Sequence, residues 1–233
     1  MNDVLPPHRI ALIHALEESI LPTRKAFEKH WPRARIFDLL DTSLAEDLAY
    51  RRGELDEAIY KRLEILADYA STTEGDGGRA QGILFTCSAF GPAIDAVKRL
   101  LSIPVLRPNE AAFEEAIAKG DSIGLVVTFE PSLHSLSREL EMMAADTGRL
   151  IKVHGIFAEG ALAALKSGDF ELHDKLAAEA ARQLPIVDIV VLGQFSLARA
   201  RHAVESVVAV PVITTPDSAV GALRQRIMVG PDC

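Results

Sequence analysis

The 233-residue chain is 48% apolar and 25% charged, and it holds no apolar run near the roughly 18–20 residues that cross a bilayer, so a soluble unit with a sizeable core is expected. With 25 basic against 33 acidic residues the net charge is −8, and no lysine- or arginine-rich block is present. That excludes the electrostatic footprint of a nucleic-acid binder and leaves small molecules as expected partners, with no membrane role.

In chain order, runs rich in Ile, Val and Leu predict strands over 9–15, 35–39, 82–86, 123–128, 150–153 and 188–192. Helix-length amphipathic stretches lie at 54–70, 89–101, 111–119, 132–145, 170–183 and 197–207. Short, continuously apolar strands alternating with such helices mark parallel sheets covered on both faces, so the fold class is α/β. Gly75-Asp76-Gly77-Gly78 precedes a strand instead of joining a strand to a helix, so no dinucleotide or phosphate loop is expected there. No cysteine or histidine spacing suits a metal. His173 and His202 fall inside amphipathic helices and are expected on the surface. Two cysteines, Cys87 and the terminal Cys233, are too few for a disulfide framework, and Cys233 is expected as an exposed thiol. The first residues show no basic-then-apolar leader, so the cytoplasm is the expected compartment.

A self-comparison adds an internal duplication. Residues 82–106 align without a gap on 189–213 at an offset of 107, with identities at Ala93/Ala200, Ala96/Ala203, Val97/Val204, Pro104/Pro211 and Val105/Val212. The first strand aligns on 122–128 at an offset of 113, matching Ile10/Ile123 and Leu12/Leu125. Two similar α/β halves are expected, 1–120 and 121–233, each with a parallel sheet flanked by helices, and with the last helix packing back on the first half. Open parallel sheets bind ligands at the carboxyl ends of their strands, so the active site is expected between the halves at corresponding strand ends.

At one such end, Thr86-Cys87-Ser88-Ala89 runs from a strand into a helix. Backbone N–H groups and the helix dipole there lower a thiol pKa, making Cys87 the candidate acid/base, with a small buried core cysteine as the alternative. The hydroxyls of Thr86 and Ser88, with the N–H groups of Ser88, Ala89 and Phe90, are candidate carboxylate donors. The offset of 107 places Gln194 opposite Cys87 in the alignment, within Leu192-Gly193-Gln194-Phe195-Ser196. Glutamine donates and accepts hydrogen bonds but takes no proton from carbon. Phe90, Phe129 and Phe195 suit either an apolar pocket wall or the core.

Strand-Thr-Cys-Ser-Ala paired with strand-Leu-Gly-X-Phe-Ser in a duplicated α/β body resembles the aspartate/glutamate/hydantoin racemase superfamily, which includes maleate isomerase and arylmalonate decarboxylase. The resemblance covers essentially the whole chain. It implies a cofactor-independent enzyme in which two cysteines flank a substrate α-carbon, one removing a proton and the other returning it. Cys87 matches the first cysteine and Gln194 stands at the second, a departure from the two-thiol pattern. The decarboxylases also carry one cysteine, but on the second-half side. His14 stands where glutamate racemases have an aspartate near the thiol, either tuning Cys87, supplying the missing acid or base, or satisfying a strand-end hydrogen bond. Thr128-Phe129-Glu130-Pro131-Ser132 resembles the family's carboxylate-binding loop, with Thr128 and Ser132 as binders or as helix caps.

Four further features are weaker candidates. Asp41-Thr42-Ser43-Leu44 reads as a lid or pocket loop, and His154 as a strand-end residue lining the cleft. Glu130 reads as a solvated carboxylate, and Asn109, Glu110 and Asp217 as helix caps. The function expected from the whole is a racemase- or isomerase-like enzyme acting at the α-carbon of a small carboxylate or amino-acid-type substrate. A single-cysteine decarboxylase and a non-catalytic carboxylate-binding protein are the alternatives. A homo-oligomer is expected from the resemblance.

Overall fold

The computed structural model describes residues 7–229, so Cys233 lies outside the described residues. The chain divides into two compact units: one runs up to Arg107 and resumes from Ala219 onward, and the other is Pro108–Ser218. The first contains β1 (Arg9–His14), α1 (Ile20–His30), β2 (Arg35–Leu40), α2 (Ser43–Tyr50), α3 (Glu57–Thr72), β3 (Glu74–Gly75), β4 (Gly78–Phe85), α4 (Gly91–Leu100) and β5 (Val105–Leu106). The second contains α5 (Glu110–Lys119), β6 (Ser122–Val127), α6 (Glu130–Asp146), β7 (Lys152–Phe157), α7 (Ala161–Lys166), α8 (Phe170–Arg182), β8 (Ile189–Leu192), α9 (Arg201–Glu205) and β9 (Val212–Thr214). The final helix, α10 (Thr215–Val229), begins in the second unit and ends in the first.

Each unit is built on one parallel sheet, in the order β2-β1-β4-β5 in the first and β7-β6-β8-β9 in the second. The short β3 adds an antiparallel hairpin to β4, turning through Gly77 and Gly78 with φ of 95° and 82°, which accounts for the glycine cluster in that segment. The duplication reappears as strand register. Ile13 pairs with Phe85 as Val126 pairs with Leu192, and Ile83 with Val105 as Val190 with Val212. The same apolar pattern therefore drives the same pairing twice, because a one-residue slip would turn every core side chain to the wrong face.

The central strands are buried on both faces, as their uninterrupted apolar sequences require: Ile10, Leu12, Ile83 and Leu84 in the first unit and Ile123, Leu125, Ile189 and Val191 in the second are fully buried. At about 1.5–3 kcal/mol for each such side chain, packing holds these elements more firmly than local propensity does. α10 packs against the first sheet at Gly82, where a side chain would meet Ile227 and Leu223 within 2.7 and 3.1 Å. α5 groups with the second unit because it packs on α6, β8 and β9, one helix ahead of the sequence boundary at 120/121.

Several local expectations change. The segment 41–44 is not a free loop: the Ser43 amide and hydroxyl both donate to Asp41, at 3.1 and 2.5 Å, and α2 starts there. Strand β7 lies further along than 150–153 and places His154 in mid-strand opposite Gly124, away from the strand end. Position 155 of that strand suits glycine because Leu133 of α6 lies within 2.6 Å of where a side chain would stand. His173 is fully buried rather than on the surface, since α8 turns it inward to bond Asp174 at 2.8 Å; His202 is exposed as expected. Among the described residues no helix is long and apolar enough to cross a membrane.

Candidate functional site

Cys87 follows β4 and occupies the N-cap of a 3-10 turn, Ser88–Phe90, that leads into α4. Its backbone is extended (φ −113°, ψ 118°) and its side chain is half-buried against the first unit's core. Desolvation pushes the thiol up to about 11, and the Ala89 amide, which bonds the sulfur and favours the thiolate, does not offset it. The expectation of a depressed pKa is thereby corrected. A 3-10 turn separates Cys87 from the first residue of α4, and helix-end stabilisation fades within about one turn. At neutral pH the group is a thiol with a proton to give.

Behind the neighbouring Thr86 lies a buried polar array. His14, at the end of β1, has no exposed surface. Its Nε2 lies 3.0 Å from Asp38 Oδ1 of β2, and its Nδ1 lies 2.8 Å from Thr86 Oγ1 and 2.9 Å from Ser19 Oγ. Arg24 of α1 grips the other Asp38 oxygen through two nitrogens. Burial holds the His14 pKa below its ordinary value despite the opposing pull of Asp38, so the ring is neutral. A carboxylate accepts only, so the ring proton sits on Nε2 and Nδ1 accepts. Ser19 donates to the Leu16 carbonyl at 2.7 Å, which leaves the Thr86 hydroxyl to donate to His14. Thr86, only 5% exposed, thus directs its proton inward, away from any carboxylate, and His14 has both nitrogens engaged within the fold.

The matching position in the second unit repeats the backbone with different chemistry. Gln194 follows β8 and caps the 3-10 turn Phe195–Ala200 with an extended backbone (φ −140°, ψ 145°). Its Oε1 accepts from both the amide and the hydroxyl of Thr128, at 2.6 and 2.8 Å. Thr128 is buried, and these donors, expected to hold a ligand carboxylate, are engaged by Gln194. Ser132 is also buried, inside the first turn of α6, where its amide donates to Phe129 O and its carbonyl accepts from Ser135 Oγ. Phe90 and Phe195 are core residues, whereas Phe129 is 45% exposed; Ser88 and Ala89 are half-buried and Ser196 is buried at 9% exposure.

The remaining candidates lie apart from these loops. Glu130 is exposed at the start of α6, and Asp217, in the first turn of α10, pairs with Arg201 at 3.0 Å. Asn109 holds the N-cap position of α5, yet its side chain makes no capping bond and is 1% exposed. A cavity of about 610 Å³ lined by His8, Gln81, Lys98, Pro104 and Arg226 opens toward the amino ends of the first unit's strands, away from Cys87. Sequence reasoning missed Asp38, Ser19 and Arg24. The usable signal was a lone carboxylate inside the apolar run Ile36-Phe37-Asp38-Leu39, which a half-buried strand accommodates best with a partner.

Comparison with known proteins bears on the whole chain. The family model for Asp/Glu/hydantoin racemase matches residues 42–223. No curated protein sequence matches significantly. Among solved structures, glutamate racemase from Francisella tularensis in complex with D-glutamate superposes with a TM-score of 0.68 at 15% identity, covering 97% of this chain and 82% of that one. Allantoin racemase from Klebsiella pneumoniae gives 0.67 at 20% identity, covering 96% and 89%. An aspartate racemase homologue from Pyrococcus horikoshii gives 0.65 at 17%, covering 94% and 99%. At these identities the likeness speaks to the fold.

Proposed function

Because the chain belongs to the Asp/Glu/hydantoin racemase family, we propose that it is a cofactor-independent isomerase moving a proton at the α-carbon of a small carboxylate or amino-acid-type substrate, with Cys87 as the acid/base. The carrying observation is Cys87 itself, a half-buried thiol capping the turn after β4. The D-glutamate held by the Francisella neighbour supports the substrate class. A proton on carbon next to a carboxylate leaves only if the resulting enediolate is stabilised, and preorganised neutral donors do this without prior ionisation. The Ser88 amide, the Gln194 side-chain amide and Ser196 are the donors assigned this role, while the Ala89 amide serves the thiol itself. Thr86 and His14 act as positioning residues, the buried ring holding the residue before the thiol. Cys87 gives its proton from the resting thiol state, and acts as a base through the thiolate, which the Ala89 amide favours.

Replacing Cys87 by Ala or Ser removes turnover and leaves the circular dichroism spectrum unchanged; retained turnover in the purified variant rejects the assignment. A lyase reading, decarboxylation followed by protonation from Cys87, is favoured by one observation: Gln194, incapable of taking a proton from carbon, occupies the position equivalent to the thiol. Turnover in deuterium oxide separates the two. An isomerase washes label into the substrate α-position, whereas a lyase places it only in product.

A further inference from the structure

We infer that Gln194 is a specificity-determining residue that reads an sp² oxygen of the substrate through its Nε2–H groups, with Thr128 as its positioning residue. This deepens, and rests on, the placement of the Gln194 loop in the substrate site. The Thr128 backbone amide can only donate, so the glutamine atom 2.6 Å from it must be the oxygen. The Thr128 hydroxyl, at 2.8 Å, donates to the same oxygen and fixes the amide plane. Flipping the amide would set the Thr128 backbone N–H, which can only donate, against Nε2 and lose that bond, so the backbone amide fixes the orientation.

The locked amide turns Nε2 away from Thr128. Among the described residues no protein group accepts from Nε2, and Nε2 is not among the buried side-chain atoms left without a partner. Gln194 therefore offers neutral, oriented donors where the first unit offers a thiol. Such a group matches a carboxylate or an imide carbonyl, both of which present acceptor lone pairs. It opposes an ammonium group, whose N–H bonds would face N–H bonds. With the Thr86 hydroxyl turned to His14 and the Thr128 donors engaged, Nε2 is a side-chain donor still available for this work.

The test uses the full-length, ¹⁵N-labelled protein and two probes, malonate for a carboxylate and hydantoin for an imide carbonyl. The Gln194 side-chain resonance pair is identified by its loss in Gln194→Ala. One probe is expected to move that pair, malonate identifying a carboxylate as the partner and hydantoin a carbonyl. Gln194→Glu, which replaces donor by acceptor, weakens malonate by about 10- to 100-fold if malonate is the partner. Thr128→Val keeps the side-chain shape, loses the hydroxyl and weakens the effective probe by about 2- to 10-fold, and Thr128→Ser restores it. The inference is overturned if neither probe moves the Gln194 pair, or if Gln194→Ala binds the effective probe as tightly as the unaltered protein. The titration is repeated in Cys87→Ala, where binding is read without turnover. Retained turnover in that variant sinks the role of Cys87 alone, and an unmoved Gln194 pair sinks the role of Gln194 alone.

Discussion

The loops that follow β4 and β8 share a backbone and differ in chemistry. Both leave the third strand of their sheet's order, both place an extended residue at the N-cap of a 3-10 turn, and both are fastened to the neighbouring second strand. In the first unit the fastening is His14 of β1 on the Thr86 hydroxyl, backed by Asp38 and Arg24. In the second it is Thr128, just beyond β6, on the Gln194 carbonyl. One loop consequently presents a protonated thiol, the other a neutral amide. The frame is the same in both units, while the side chain at one equivalent position differs.

Removing the thiol breaks that contrast most severely: Cys87→Ala should lower turnover by about 10²- to 10⁴-fold, the usual contribution of a positioned acid/base, in a steady-state assay. Making the loops alike is the next test. Gln194→Cys places a thiol at both N-cap positions and should introduce or accelerate deuterium wash-in at the substrate α-position, followed by proton NMR.

The fastening in the first unit should be visible as stability. His14→Ala removes one buried bond each from Asp38, which keeps Arg24, and Thr86, which keeps Ser19, and should cost about 1–3 kcal/mol in urea unfolding. The pH dependence has a worked sign. Burial lowers the pKa of both His14 and His173, so below about pH 6.5 the unfolded chain takes up protons the folded one refuses. Stability therefore falls as pH drops through that range, and His14→Gln should make the decline shallower. The thiol has the opposite window: its raised pKa contributes stability that is full below 9.0 and is lost as pH climbs toward about 11. Cys87→Ser should flatten this smallest of the effects, measured by thermal melts across alkaline pH.

Much of this was legible before any coordinates. The gapless offset of 107 became matching registers in two sheets because strand pairing is dictated by the same alternation of core-facing residues. Cys87 and Gln194 were legible as strand-end residues for the same reason. The helices α1 and α2 escaped notice, since polar residues and Pro22 interrupt the first and the second is a short helix opening where Asp41 binds Ser43. His173 looked like a surface residue because the helix that carries it is amphipathic, and only its packing decides which edge of the apolar stripe is covered.

The sequence by itself determined the α/β class, the repeat and the two strand-end positions, all of which follow from local apolar periodicity. Only the tertiary structure decided the charge state of Cys87, the partners of His14 and the direction in which Gln194 points. Each depends on groups remote in the chain: the His14–Asp38 and Thr128–Gln194 pairs are separated by 24 and 66 residues. Burial and hydrogen-bond direction are properties of what surrounds an atom in space, and folding alone supplies those surroundings.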